Sequence, residues 1–209
     1  DGGVISLVID MTDLMRMWSA VQEMPDGFVL YDAEDRPDPG QLKEAVAAFR
    51  RDQFEQRHGL TSKPPLAVVQ ASLHYFNADY NVLTRMFAIE YAHWFEAMLP
   101  GMDVTRLPLP LGGTSNHFDV DLLRDLGSWD PYNVTEDADL AVRLCRKGYR
   151  IAMIDSHTWE EAPVTVQAWL KQRSRWFKGF IQTWLVHNRH PLAFVRELPR
   201  FWYWCLQQI

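Results

Sequence analysis

At 209 residues, with 47% hydrophobic and 23% charged, the chain is long and apolar enough for one globular domain or a small pair, which excludes a disordered or low-complexity protein. Its net charge of −6 is uneven: residues 171–200 carry seven Lys or Arg against the single acid Glu197, leaving −12 for the remainder. General nucleic-acid binding is thereby disfavoured, whereas a local anion site or a membrane-facing segment near the C-terminus fits.

Cys145 and Cys205 make neither a disulfide framework nor a zinc pattern. Six of the nine tryptophans lie from Trp159 onward, and indole rings favour membrane interfaces. The longest charge-free run, Pro64 to Ala78, is 15 residues, short of the roughly 18 a spanning helix needs. The chain opens on Asp1-Gly2-Gly3 without a signal peptide's basic region and closes inside the apolar Phe201-Trp202-Tyr203-Trp204-Cys205-Leu206. Both ends read as cut from a longer protein.

In chain order, the apolar run Phe28–Tyr31 predicts a buried strand. The turn Pro37-Asp38-Pro39-Gly40 precedes an amphipathic helix over Gln41–Arg57, with Leu42, Val46, Phe49 and Phe54 on its apolar side. Leu66–Gln70 predicts a second strand. Apolar spacing predicts a helix over Asn81–Leu99 that stops at Pro100-Gly101. A third helix, Glu136–Lys147, starts after the good N-cap Thr135 and ends at Gly148. Ile151–Ile154 reads as a strand and Val164–His187 as a long helix. Strands alternating with helices predict an α/β domain with a mainly parallel sheet.

Three clusters can carry chemistry. The acidic turn Asp32-Ala33-Glu34-Asp35 follows directly on the first strand, where carboxylates two apart can converge on a hard cation; a solvated turn accounts for it equally. In Thr135-Glu136-Asp137, both acids fall in a helix's first turn, where the positive end of the helix favours them as caps. The same position also holds a carboxylate rigidly enough for a general base. Upstream, Gly112-Gly113-Thr114-Ser115 lets the backbone approach a ligand closely, though Gly-Gly is most often a plain turn. In Gln172-Arg173-Ser174-Arg175-Trp176, helical spacing sets Arg173 beside Trp169 and Trp176, a guanidinium among aromatic faces suited to phosphate and sugar. A plain amphipathic helix is the competing account.

Taken in order, Asp32-Ala33-Glu34, Thr135-Glu136-Asp137 and Gln172-Arg173-Ser174-Arg175-Trp176 resemble the D-x-D, T-E-D and Q-x-x-R-W motifs of glycosyltransferase family 2, in its processive, cellulose-synthase-like membrane branch. The resemblance runs from about Gly27 to about Pro191 and includes Leu111–Phe118, which is similar to the family's acceptor-side loop. It implies a GT-A-like nucleotide-sugar-binding fold over residues 1–160 with an incomplete N-terminal part, followed over 161–209 by amphipathic interface helices leading toward spanning helices.

The resemblance also implies roles. Asp32 and Glu34 would hold Mg²⁺ or Mn²⁺ and the donor diphosphate, together with Gln172 and Arg173. Asp137 would be the general base, with Glu136 beside it. Trp176, Gly113, Thr114 and Ser115 would meet the acceptor. The implied reaction is inverting transfer of a sugar, from a UDP-hexose, to a growing glycan. The partners are then the nucleotide sugar, the glycan and a membrane, with no nucleic acid. The implied location is the inner membrane of the cell, with the catalytic domain on the cytoplasmic side.

Two departures stand out: Glu34 occupies the place of the second Asp, and Asp1–Asp26 does not match the family's uracil-gripping strands. The competing class is a non-catalytic membrane-peripheral or carbohydrate-binding fragment, in which Asp137 is only a cap and would tolerate Asn. A metal-dependent phosphohydrolase fits less well, because no His-rich cluster or activated nucleophile stands beside these carboxylates in the sequence.

Overall fold

The structure is a computed structural model and describes residues 5–8, 27–32, 35–105 and 107–189. Among these, six strands form one sheet: β1 (Ile5–Val8), β2 (Gly27–Tyr31), β3 (Arg36–Pro37), β4 (Leu66–Tyr75), β5 (Asn116–Asp119) and β6 (Arg150–Glu160). They lie in the order β1-β2-β5-β4-β6-β3. The helices are α1 (Gln41–Arg57), α2 (Val82–Ala92), α3 (Leu99–Val104), α4 (Val120–Asp125), α5 (Glu136–Arg146) and α6 (Val166–His187). A π-helical turn, His93–Met98, joins α2 to α3.

The expected α/β layering is present, but the sheet is mixed rather than mainly parallel. Only β1–β2 and β4–β6 run parallel, because β5 enters antiparallel between β2 and β4, and β3 pairs antiparallel on the edge at β6. The residues of β5 were read as loop in the sequence, since four residues next to a Gly-Gly turn give too short a period to recognise.

The two long central strands exceed their sequence-predicted lengths. β4 is buried along nearly its whole course, as a strand covered on both faces must be. Val68 faces a core made with Phe95, Leu99, Phe118 and Leu140, while Val69 faces the opposite side with Ala45, Leu66 and Ala152. Both valines are fully buried, each contributing about 1.5–3 kcal/mol.

Helix α1 has the expected ends, and Phe49 of its expected apolar side packs beside Ala45 on the core, but the rest of the inward face differs. Leu42 and Phe54 are exposed, and Gln41, Ala45 and Asp52 are buried. Small Ala45 lets the helix lie close to the sheet. Asp52 accepts from the Leu66 N–H at 3.0 Å and pairs with Arg150 at 2.5 Å, tying α1 to the starts of β4 and β6. At its other end Gln41 accepts from the Tyr31 hydroxyl at 2.6 Å and donates to the His157 carbonyl at 3.1 Å and to Thr158 Oγ1 at 3.1 Å. That amide joins β2 to β6 and fixes where the acidic turn leaves the sheet.

The helix predicted to stop at Pro100-Gly101 instead continues to Val104. The π-helical turn resets the hydrogen-bond register, so Pro100 falls in the first turn of α3, where a missing N–H costs little. Asn81 caps α2 reciprocally with Thr84, 2.9 and 3.0 Å, and Gly148 at φ +83° ends α5. No described helix is long and apolar enough to cross a membrane.

Candidate active site

The first two clusters and the Gly-Gly loop converge at the ends of the strands. Asp32 leaves β2 and its N–H donates to Asp35 Oδ2 at 2.8 Å, while the Asp35 N–H donates back to the Asp32 carbonyl at 3.1 Å. The Thr114 hydroxyl donates to the same Asp35 carboxylate. Asp35 thus fastens the acidic turn to the loop, a role the sequence reading gave it no part in. Glu34 lies outside the described residues.

The loop is held from below by Gln70 on β4, which is completely buried and accepts from the Gly112 N–H at 2.7 Å. Asn116 donates to the Gly112 carbonyl at 2.5 Å, and Ser115 sits at φ +61° with its hydroxyl buried and unpartnered. A Cβ on Gly113 would lie 3.8 Å from Asp137 Oδ2, so the loop backbone passes directly over the carboxylate of α5.

Glu136 is buried, whereas Asp137 keeps part of its surface open and accepts from the Ala138 N–H at 2.7 Å. Burial pushes both carboxyl groups above their ordinary range; the neighbouring Asp137 and the more distant Asp32 push Glu136 further, and Arg175 partly opposes the rise in each. Thr135 occupies the expected N-cap position, but its side chain makes no capping bond. Its hydroxyl is instead pressed against Gly179 of α6, where a Cβ would come within 2.4 Å of Thr135.

That contact begins a stripe. Gly179, Thr183 and His187 recur every fourth residue along α6 and face α5 and the loop before it. Asn133 donates to Thr183 Oγ1 at 2.8 Å, and His187 Nε2 lies 2.8 Å from Asp139 Oδ1. Arg143 donates to the other Asp139 oxygen at 2.7 Å. Burial would raise Asp139, but the His187 and Arg143 bonds outweigh it and hold the group below its usual value. Trp176, Phe180 and Trp184 form a hydrophobic stripe on α6 that either protein or lipid could cover, whereas the seam with α5 runs along Gly179, Thr183 and His187. A glycine, a threonine and a histidine give no hydrophobic signal, which is why the seam was missed.

The third cluster is divided. Arg175 is the cation whose charge reaches Glu136 and Asp137. Arg173 points instead to α2, pairing with Glu90 at 2.6 Å, with its guanidinium 5.0 Å from the Phe87 ring centre and 4.7 Å from that of Trp176. Gln172 Oε1 and Arg173 Nε are buried without a hydrogen-bond partner, which a bound ligand's polar groups would remedy.

A mixed α/β sheet with paired carboxylates at its strand ends is a GT-A-like arrangement. The chain belongs to the glycosyl transferase family group 2, whose family model matches residues 27–207. It is 27% identical over 155 residues to the probable glucomannan 4-beta-mannosyltransferase 9 of Oryza sativa subsp. japonica, covering 74% of this chain and 27% of that protein. It is likewise 27% identical over 152 residues to glucomannan 4-beta-mannosyltransferase 2 of Arabidopsis thaliana, covering 72% of this chain and 26% of that protein. The chain therefore spans about a quarter of the length of these curated relatives.

The raised carboxyl groups have a measurable consequence for folding. Unfolded, each loses its proton near the ordinary carboxylate value; folded, each keeps it to higher pH, so the folded chain binds more protons in between. Stability then falls as pH rises through that window. Glu136→Gln, uncharged throughout, is expected to melt above the parent at about pH 8, with the gap closing near about pH 4. Thermal melts across that range check it, and a gap independent of pH would contradict the assignment.

Proposed function

We propose that this chain is the catalytic part of an inverting glycosyltransferase that moves a hexose from a nucleotide-diphosphate sugar, UDP-linked in the reading the motifs favour, to a growing polysaccharide. The observation that carries the proposal is the carboxylate pair of α5 set beneath the Gly112–Ser115 loop, with Asp137 partly open and raised toward neutrality by burial. The relatives' names, glucomannan mannosyltransferases, support a hexosyl donor and a polymeric acceptor.

In this mechanism Asp137 takes the proton of the acceptor hydroxyl. The freed oxygen attacks the anomeric carbon as the bond to the diphosphate oxygen breaks on the opposite side, inverting the centre. A base whose pKa lies near the working pH is both deprotonated and strong enough to accept. The Ala138 N–H holds one Asp137 oxygen, leaving the other toward Gly113. Gly113, Thr114 and Ser115 line the acceptor approach, and Glu136 sets the field around the base. Trp176 supplies an aromatic face for the acceptor sugar; Gln172 would meet the diphosphate, and with Arg173 held at α2 by Glu90, Arg175 is the cation of the motif whose charge reaches the cleft.

The acidic turn fits a divalent cation. Asp32 adds its charge to a cleft already holding Glu136 and Asp137, an excess of hard oxygen donors over the cation Arg175. Asp32 and Glu34 would hold Mg²⁺ or Mn²⁺, which when bound offsets the charge of the leaving diphosphate.

We further infer that α6 rests on a membrane surface at the inner membrane, with the carboxylate cleft on the cytoplasmic side. Phe177, Ile181, Trp184 and Leu185 are each at least half exposed, and Lys178 and Arg189 stand among them. The exposed Met86 and Ile89 of α2, which share a hollow with Val166 of α6, extend this surface. An apolar face with basic neighbours suits anionic headgroups, each cation adding about 1 kcal/mol.

In the full-length protein, Asp137→Asn is expected to reduce sugar transfer by about 10²–10⁴-fold while nucleotide-sugar binding stays near that of the parent. Turnover and calorimetric binding check this, and transfer at the parental rate would show that Asp137 is a cap rather than a base.

For the surface, flotation of the chain with anionic liposomes is expected to weaken markedly when Ile181 and Trp184 are both changed to Ser. Unchanged association, or none by the parent, would remove α6 from the membrane.

A further inference from the structure

The sequence scatters His74, Glu96 and His157 over more than eighty residues, and the fold brings them to one place away from the carboxylates of α5. On β4 and β6, Ser72 lies opposite His157 and His74 opposite Trp159, so both histidines project from the same face of the sheet. Between Gln70 and Ser72 the register slips, two steps along β4 being matched by four along β6, so that His157 stands opposite Ser72, the neighbour of His74 on that face. Their rings lie 4.7 Å apart, centre to centre. Glu96 arrives from the π-helical turn, a rare distortion that recurs at functional sites.

The contact between His74 and Glu96 is not explained by a shared proton. Nε2 lies 3.1 Å from Glu96 Oε1, yet this buried nitrogen has no hydrogen-bond partner. Two ligands on one tetrahedral zinc ion stand about 3.3 Å apart, given bond lengths of about 2.0–2.1 Å, which is close to the observed spacing. Ligand atoms of all three residues lie within 4.8 Å of one another.

Asp38 completes the arrangement from outside. Its Oδ2 accepts from the His157 backbone N–H at 2.9 Å and lies 3.2 Å from His157 Nδ1. A carboxylate acceptor at Nδ1 fixes the proton there and leaves Nε2 with its lone pair, the usual support of a metal-binding histidine.

We propose that His74, Glu96 and His157 bind a first-row transition ion, zinc being the one this two-imidazole, one-carboxylate set fits, at a site distinct from the acidic turn and oriented by Asp38. Glu96 is half exposed, so the ion is reached from solvent and its fourth position is left to water. The ion would pin β4, β6 and the π-helical turn together. Gln70, four residues before His74 on β4, and Phe95, next to Glu96, both approach Gly112, so the pinned elements are those that support the active-site loop. The proposal is independent of the glycosyl-transfer reading.

Titration of the metal-free full chain with Zn²⁺, followed by calorimetry and, with Co²⁺ substituted, by visible absorption, tests it. The expected result is one ion per chain, undisplaced by excess Mg²⁺, with a tetrahedral Co²⁺ band in the parent that requires no variant to interpret. His74→Gln and His157→Gln are each expected to weaken binding at least 100-fold, and Asp38→Asn about 10–100-fold. Absence of stoichiometric Zn²⁺ binding by the parent, or parental affinity in both histidine variants, would overturn the site.

Discussion

A carboxylate taken out of water loses several kcal/mol of hydration unless nearby groups replace it, and Glu136 and Asp137 lose theirs side by side. What replaces it is limited: the positive end of α5, the Ala138 N–H and the charge of Arg175. The balance leaves both groups protonated more readily than free carboxylates. The fold sustains this because α6 lies so close that only glycine fits at position 179 against Thr135. From that contact the Thr183 and His187 bonds run down the seam, and Asp139, two residues beyond Asp137, is turned into a structural anchor with the opposite shift. Three acids within four residues of one helix therefore serve different ends, distinguished by their neighbours rather than their chemistry.

The loop above this pair is built with similar economy. Gln70 and Asn116 hold Gly112 from the sheet, and Asp35 holds Thr114 from the acidic turn. Gly113, between these anchors, passes over Asp137 without a side chain to cover it. An acidic turn and a loop that share the Asp35 carboxylate cannot move independently.

Much of this was legible in the sequence. The ends of α1 and α5 and Gly148 as terminator follow from periodicity and turn chemistry, and the acidic and basic clusters from their spacing. What was not legible has a common cause: it depends on residues without a local signature. Strand β5 is too short to show a period, and its antiparallel insertion makes the sheet mixed. The seam of α6 against α5 is made by Gly179, Thr183 and His187, which carry no hydrophobic period. Leu42 and Phe54 seemed core residues by type, but the close approach at Ala45 turns them out. His74, Glu96 and His157 come from two strands and a π-helical turn far apart in the chain, a juxtaposition that spacing along the sequence cannot disclose.

The central claim is that the environment, not residue type, sets the charge of the acids on α5. Carboxyl-carbon NMR titration of the labelled full chain reads each acid separately. The account predicts that Glu136 and Asp137 lose their protons above the ordinary carboxylate range while Asp139, on the same helix, loses its proton below it. Titration of all three together at ordinary values would contradict it.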